Sequence, residues 1–153
     1  MTDIWFYHLE RQTVEAVLPN LVEKSLERNW RVVIEAREES LVEKLDQWLW
    51  SYSPESFVPH GSHRDGNGAV QPVYLTCTPE TPNAAAVRIC VGGADPLGSL
   101  AAGAQFERMI LLIDGREPDA VILARQQWLA LRAQHHTLSY WQQNEHGGWQ
   151  KKA

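Results

Sequence analysis

At 153 residues the chain fits one domain, which at this size buries roughly 68–70% of the surface its unfolded chain exposes and needs no staples to hold a core. Apolar residues make up 44% and charged residues 22%; no run approaches the roughly 18 apolar residues of a membrane span, and MTDIWFYHLER lacks the basic region and long apolar stretch of a secretory signal, so a soluble, cytoplasmic protein is expected. Fourteen basic against nineteen acidic residues give a net charge of −5, which opposes attraction of the whole surface to a phosphate backbone and leaves only a local basic patch for such contacts.

DIWFYHL (3–9) is a short aromatic-rich run of strand character, and RVVIEA (31–36) is a second, built on β-branched residues. Between them Leu18, Leu21, Val22 and Leu26 recur at helical spacing, with Pro19 placed in the first turn or kinking the helix. Ser40 and Glu43 form a capping-box pattern, and Leu41, Val42, Leu45, Trp48 and Leu49 follow as an amphipathic stripe. The composition then turns polar and glycine-rich (GSHRDGNG, 61–68), a surface loop over 61–70 that need not hold one conformation. PVYLTC (72–77) and VRICVG (87–92) read as strands on either side of another loop, with Cys77 and Cys90 as reduced, structural thiols. RMILLID (108–114) is nearly continuously apolar, the mark of a strand covered on both faces. From Pro118 to about Gln134 the chain is helical, and a polar tail over 138–153 carries two tryptophans. Strands alternating with helices predict a single three-layer α/β/α domain over 1–153 with a parallel or mixed central sheet, Rossmann-like but without a phosphate-binding loop.

A nucleotide enzyme on such a sheet wants a glycine-rich loop opening a helix, because backbone N–H groups there cradle the anion. The stretch 91–98 (VGGADPLG) has neither the Lys-Ser/Thr ending of a P-loop nor the third glycine of a dinucleotide fingerprint; a nucleotide-binding enzyme using Gly92, Gly93 and Asp95 is the alternative reading. His60 and His63, and His135 and His136, are close in sequence, but neither cysteine is, so these histidines read as exposed polar residues. There is no Gly-x-Ser-x-Gly elbow and no triad spacing. No catalytic residue, cofactor or metal is expected.

Two stretches look like docking surfaces instead. Arg125, Trp128 and Arg132 lie at i, i+3 and i+7, two guanidinium groups and an indole on one helical face, suited to holding carboxylates while the ring packs on an apolar group. The competing reading is a solvated basic face with Trp128 folded onto the sheet. In WLWSYSPESFVPHG (48–61), Trp48 continues the core stripe while Trp50 faces partly away, and the prolines hold the following aromatics extended. Such rigid exposed aromatics are typical interface anchors, with a satellite core under the loop as the alternative.

SFVPH at 56–60, preceded by Leu49-Trp50, with the WFYHL strand and Leu123-Ala124-Arg125 in the last helix, resembles the chi subunit of bacterial DNA polymerase III over almost the full length. The resemblance implies an accessory subunit without catalysis of its own. It would sit on the clamp-loader side of the polymerase, pair with the psi subunit or another clamp-loader or helicase-like partner, and bind the acidic, phenylalanine-terminated tail of single-stranded DNA-binding protein. It places the psi or partner surface on Trp50, Phe57, Val58 and Pro59, and the tail surface on Arg125 and Trp128, with nucleic acid contacted only indirectly. Leu129 stands where family members carry a lysine, which removes one cation; Arg132 is the candidate to compensate, and Trp149, Lys151 and Lys152 form a C-terminal extension.

Overall fold

Eight strands form one sheet in the order β3-β4-β2-β5-β6-β1-β7-β8, seen in a computed structural model that describes residues 2–52, 59–146 and 148–153. In chain order these are β1 (Asp3–Leu9), α1 (Val14–Glu27), β2 (Val32–Ala36), α2 (Glu39–Ser51), β3 (Gly61–Ser62), β4 (Val73–Thr76), β5 (Val87–Val91), α3 (Pro96–Ala101), β6 (Arg108–Asp114), α4 (Pro118–Ala133), β7 (Thr137–Gln143) and β8 (Trp149–Lys151). All pairings are parallel except β7 with β8. The layered α/β architecture is the one expected, and among the described residues no helix is long and apolar enough to cross a membrane.

The apolar run of β6 shows how the layers are built. Ile110 and Leu112 point into the core under α1 and α2, with Leu18, Val22, Leu45, Leu49, Ile34 and Ile89. Met109, Leu111 and Ile113 point to the opposite core, with Ile4, Phe6, Ala124 and Leu131 beneath α3 and α4. A strand with helices on both faces has no polar side to show, which is why its sequence does not alternate.

Four details depart from the sequence reading. Pro19 lies inside α1 beyond its first turn. Its ring removes the N–H that would bond the Glu15 carbonyl, and that oxygen instead accepts from Trp48 Nε1 of α2 at 2.6 Å. The capping box does not form: α2 begins at Glu39 with Glu38 as its N-cap, so Ser40 already sits in the first turn. The 61–70 stretch is partly ordered by hydrogen bonds, with β3 paired to β4, the Ser62 N–H donating to Asp65 Oδ2 at 2.8 Å, and a 3-10 turn over Gly68–Val70. The polar C-terminal stretch is not a loose appendage: β7 extends the sheet from the edge of β1, and β8 folds back on it.

One buried ion pair ties β2 to β5. Arg88 of β5 is fully buried, and each guanidinium N–H has an acceptor: Nε and Nη2 donate to Glu35 Oε1 of β2 at 2.9 and 2.5 Å, and the rest to Thr78 O, Glu80 O and Thr81 Oγ1. Burial holds the Glu35 carboxyl above the ordinary glutamate value even beside this cation.

Candidate docking site

α4 starts on Pro118, whose missing N–H costs nothing at that position, with Asp119 in the first turn and Arg132 in the last, both favourable to the helix dipole. Its inner stripe buries Ala124 and Leu131, while Ile122 and Leu129 face solvent, Leu129 with 63% of its surface exposed. Trp128 lies between these faces. Its ring meets Phe6 edge-on at 5.3 Å and Tyr140 at 5.9 Å, so the indole is folded onto the sheet and also forms a wall of the surface. The ring thus packs on the sheet and also lines the adjoining groove.

Between α4 and β7 runs an apolar groove of about 500 Å³, lined by Val121, Arg125, Trp128, Leu129 and Tyr140, with His8 and Gln142 toward its floor and Ala153 at one side. Arg125 is exposed, and its charge is felt at the Tyr140 hydroxyl, which burial nevertheless keeps protonated above the usual tyrosine range. Arg132 is exposed on the same helix but does not line the groove. The structure thus brings two of the three predicted residues to one concavity and leaves the third beyond its end.

A polar chain closes the floor. Tyr140 Oη lies 2.7 Å from His8 Nδ1, His8 Nε2 lies 3.0 Å from Glu10 Oε1, and Gln142 Nε2 donates to the same oxygen at 2.7 Å. His8 thus links the Tyr140 hydroxyl to the Glu10 carboxylate through its two ring nitrogens. Sequence reasoning missed Val121, Tyr140 and His8, and counted Leu129 as a lost cation where the fold makes it an apolar wall. Val121 and Leu129 lie four residues either side of Arg125, a helical spacing that could have found them; nothing local pointed to Tyr140, which comes from a neighbouring strand.

The second predicted surface is seen in part. Trp50, on the last turn of α2, is 50% exposed, with its ring centroid 4.2 Å from that of His60, and Pro59 is exposed beside it. Phe57 and Val58 lie outside the described residues. His60 is not the exposed residue expected: it is buried, with Nε2 3.1 Å from the Asp46 carbonyl and 3.2 Å from Asp46 Oδ1. Burial raises the Asp46 carboxyl, against the lowering effect of His60. His63, half-buried on Glu39, comes within ligand distance of Cys77 as well, a proximity that sequence separation hid; Glu39 is also paired with Arg64 at 3.1 Å.

The crevice at the carboxyl ends of β5 and β6, where a nucleotide would sit on such a sheet, is differently furnished. Gly92 and Gly93 have positive φ (58° and 84°), and a Cβ there would meet Leu41 at 2.4 Å and Leu123 at 3.1 Å, so both serve the close passage of α2 and α4. Asp95 caps α3 by accepting from Leu97 N–H at 2.9 Å. In the loop after β1, the backbone N–H groups of Glu10, Arg11 and Gln12 converge on Gln143 Oε1 at 3.0, 3.0 and 3.3 Å. A buried side-chain carbonyl occupies the cradle that a phosphate fold keeps open.

The fold and these surfaces define an open, doubly wound α/β protein that carries an apolar groove with Arg125 among its lining residues. A family model described as DNA polymerase III chi subunit, HolC, matches residues 1–139. A relative named probable DNA polymerase III subunit chi, from Rickettsia prowazekii (strain Madrid E), is 31% identical over 117 residues, covering 74% of this chain and 71% of its own length. The chain belongs to the DNA polymerase III chi subunit family, a replication accessory family.

Proposed function

We propose that this protein is a non-catalytic accessory subunit of the replicative polymerase holoenzyme that acts in the cytoplasm as a bridge. One surface grips the acidic, phenylalanine-ended tail of single-stranded DNA-binding protein, and another attaches to psi or a different clamp-loader or helicase-like partner. The observation that carries the reading is the α4–β7 groove: apolar walls wide enough for a phenyl ring, with Arg125 at the mouth and Arg132 farther along. A terminal phenylalanine buries its ring against Trp128, Leu129 and Tyr140 while carboxylates meet the guanidinium groups. Each link can be weak, because tethering makes the second engagement intramolecular.

Titration of a labelled acidic peptide ending in phenylalanine tests the groove. Arg125→Ala weakens binding by about 1–3 kcal/mol, the cost of losing a hydrogen bond to a charged group. Leu129→Asp, at an exposed position, weakens it further by placing a like charge in the apolar wall. Arg132→Ala has the smaller effect and acts mainly through salt-screened attraction. Equal affinities for wild type, Arg125→Ala and Leu129→Asp remove the groove from the interaction. For the second surface, Trp50→Ala and Phe57→Ala are expected to release a partner that Arg125→Ala retains.

A further inference from the structure

The sheet face that carries α1 and α2 is left open toward β7 and β8. α1 lies over β2 and β6, and α4 packs on β7 from the opposite side. Register on the open part pairs Tyr7 of β1 with Trp141 of β7 and Trp5 with Ser139, two residues before Trp141 on the same face, and β8 adds Trp149 opposite Gln143. The rings form one row: Trp5 is edge-on to Tyr7 at 6.1 Å and 6.0 Å from Trp141, and Tyr7 is 4.7 Å from Trp149. Trp5, Tyr7 and Trp141 are half-buried, and Trp149 is 39% exposed.

Cations gather at one end of this row. The Arg108 guanidinium stacks on Trp5 at 3.9 Å and lies 5.7 Å from Trp30, and Arg28 lies over Trp30 at 5.1 Å. Lys24, one helical turn before Arg28, lines the same crevice of about 260 Å³. Arg108 Nε is buried without an acceptor, a donor held ready in a place where such groups are rarely left unmatched. Asp3 is in register with Arg108 and Glu107 precedes it, so the attraction is local, and affinity leans on the rings.

Flat rings in series with guanidinium groups at one end match a single strand of nucleic acid: bases stack on the rings, phosphates meet the cations, and neither contact depends on base identity. A protein segment would more naturally find aliphatic walls and a closed pocket, as in the α4 groove. We propose that this open face binds single-stranded nucleic acid directly and with little sequence preference. It departs from the expectation of purely mediated contact, and it is independent of the tail-binding reading, since the two sites lie on opposite faces of the sheet. Trp141 and Trp149 lie past residue 139, where the family match ends.

The test is fluorescence anisotropy of a labelled oligothymidylate of about twenty nucleotides at low salt, with this protein alone. Saturable binding is expected, with a log–log salt slope near about −2 if three phosphates are neutralised. The doubly substituted Lys24→Glu, Arg28→Glu variant, changed only at exposed positions in the last turn of α1 and its C-cap, binds about tenfold more weakly or worse. Trp149→Ala weakens binding severalfold through loss of a stacking ring. Arg125→Ala leaves the affinity unchanged, which separates this face from the groove. The proposal is overturned if the oligonucleotide does not bind, which would leave the face to a polypeptide partner, or if binding survives both the Lys24/Arg28 reversal and Trp149→Ala in variants whose circular dichroism is native.

Discussion

Trp48 illustrates how one side chain can hold a polar duty that its sequence pattern conceals. Its spacing with Leu45 and Leu49 marks it as part of an apolar stripe, and the ring is indeed half-buried. Its indole N–H, however, repairs the hydrogen bond that Pro19 removes from α1. Trp48→Phe keeps the apolar ring and deletes the donor, so it should lower stability by about 1 kcal/mol, read as a shift of the urea midpoint at constant slope. In a Pro19→Ala background the alanine N–H can serve the Glu15 carbonyl within the helix, and the penalty of Trp48→Phe should shrink; equal penalties in both backgrounds would refute the coupling. The proline and the tryptophan were each legible in the sequence. Their connection was not, because it spans two helices that only the tertiary fold places side by side.

At the scale of elements, what could be read in advance follows from how strongly each segment depends on its own periodicity. α4 and β6 carry their burial in their spacing, so their existence, and the pairing of Arg125 with Trp128 on one helix face, could be deduced from the sequence. β7 could not: TLSYWQQ is only partly buried along most of its length and borrows its stability from pairing with β1, so its residues look like a polar tail. That is why half of the groove, Tyr140 and Gln142, was invisible while the α4 half was not. Gln143, at the end of the same strand, locks the β1–α1 loop by accepting from three consecutive backbone N–H groups while its own Nε2 donates to Gln12 Oε1 at 2.7 Å. Gln143→Leu preserves bulk but leaves those donors without the carbonyl, and should cost about 2 kcal/mol, within the range for unsatisfied buried polar groups. Amide exchange at Arg11 and Gln12 should accelerate more than exchange in the central strands; uniform acceleration would mean that Gln143 acts on the whole sheet and not on this loop.

On the scale of the whole molecule, the buried Glu35–Arg88 pair decides how the sheet tolerates change. It sits where β2 meets β5, between the strands toward the β3 edge and those that lead to the α4–β7 groove. Removing one member strands the other: Arg88→Met should destabilise by about 3–5 kcal/mol, because Glu35 and the carbonyls of Thr78 and Glu80 lose their donors together. A double Glu35→Met, Arg88→Met variant should recover part of that loss, since replacing a buried pair by apolar groups is often close to neutral. The pH dependence separates charge from packing. Glu35 has a folded-state pKa above its unfolded value, so the folded form holds the proton more tightly; its contribution is present below the ordinary glutamate value and is lost as pH rises through the raised one. Without Arg88 that raised value climbs further, and the carboxyl can escape its burial penalty by protonation over a wider range. The destabilisation of Arg88→Met, measured by urea denaturation, should therefore be smaller at about pH 5 than at pH 8, and a penalty independent of pH would assign the loss to packing alone.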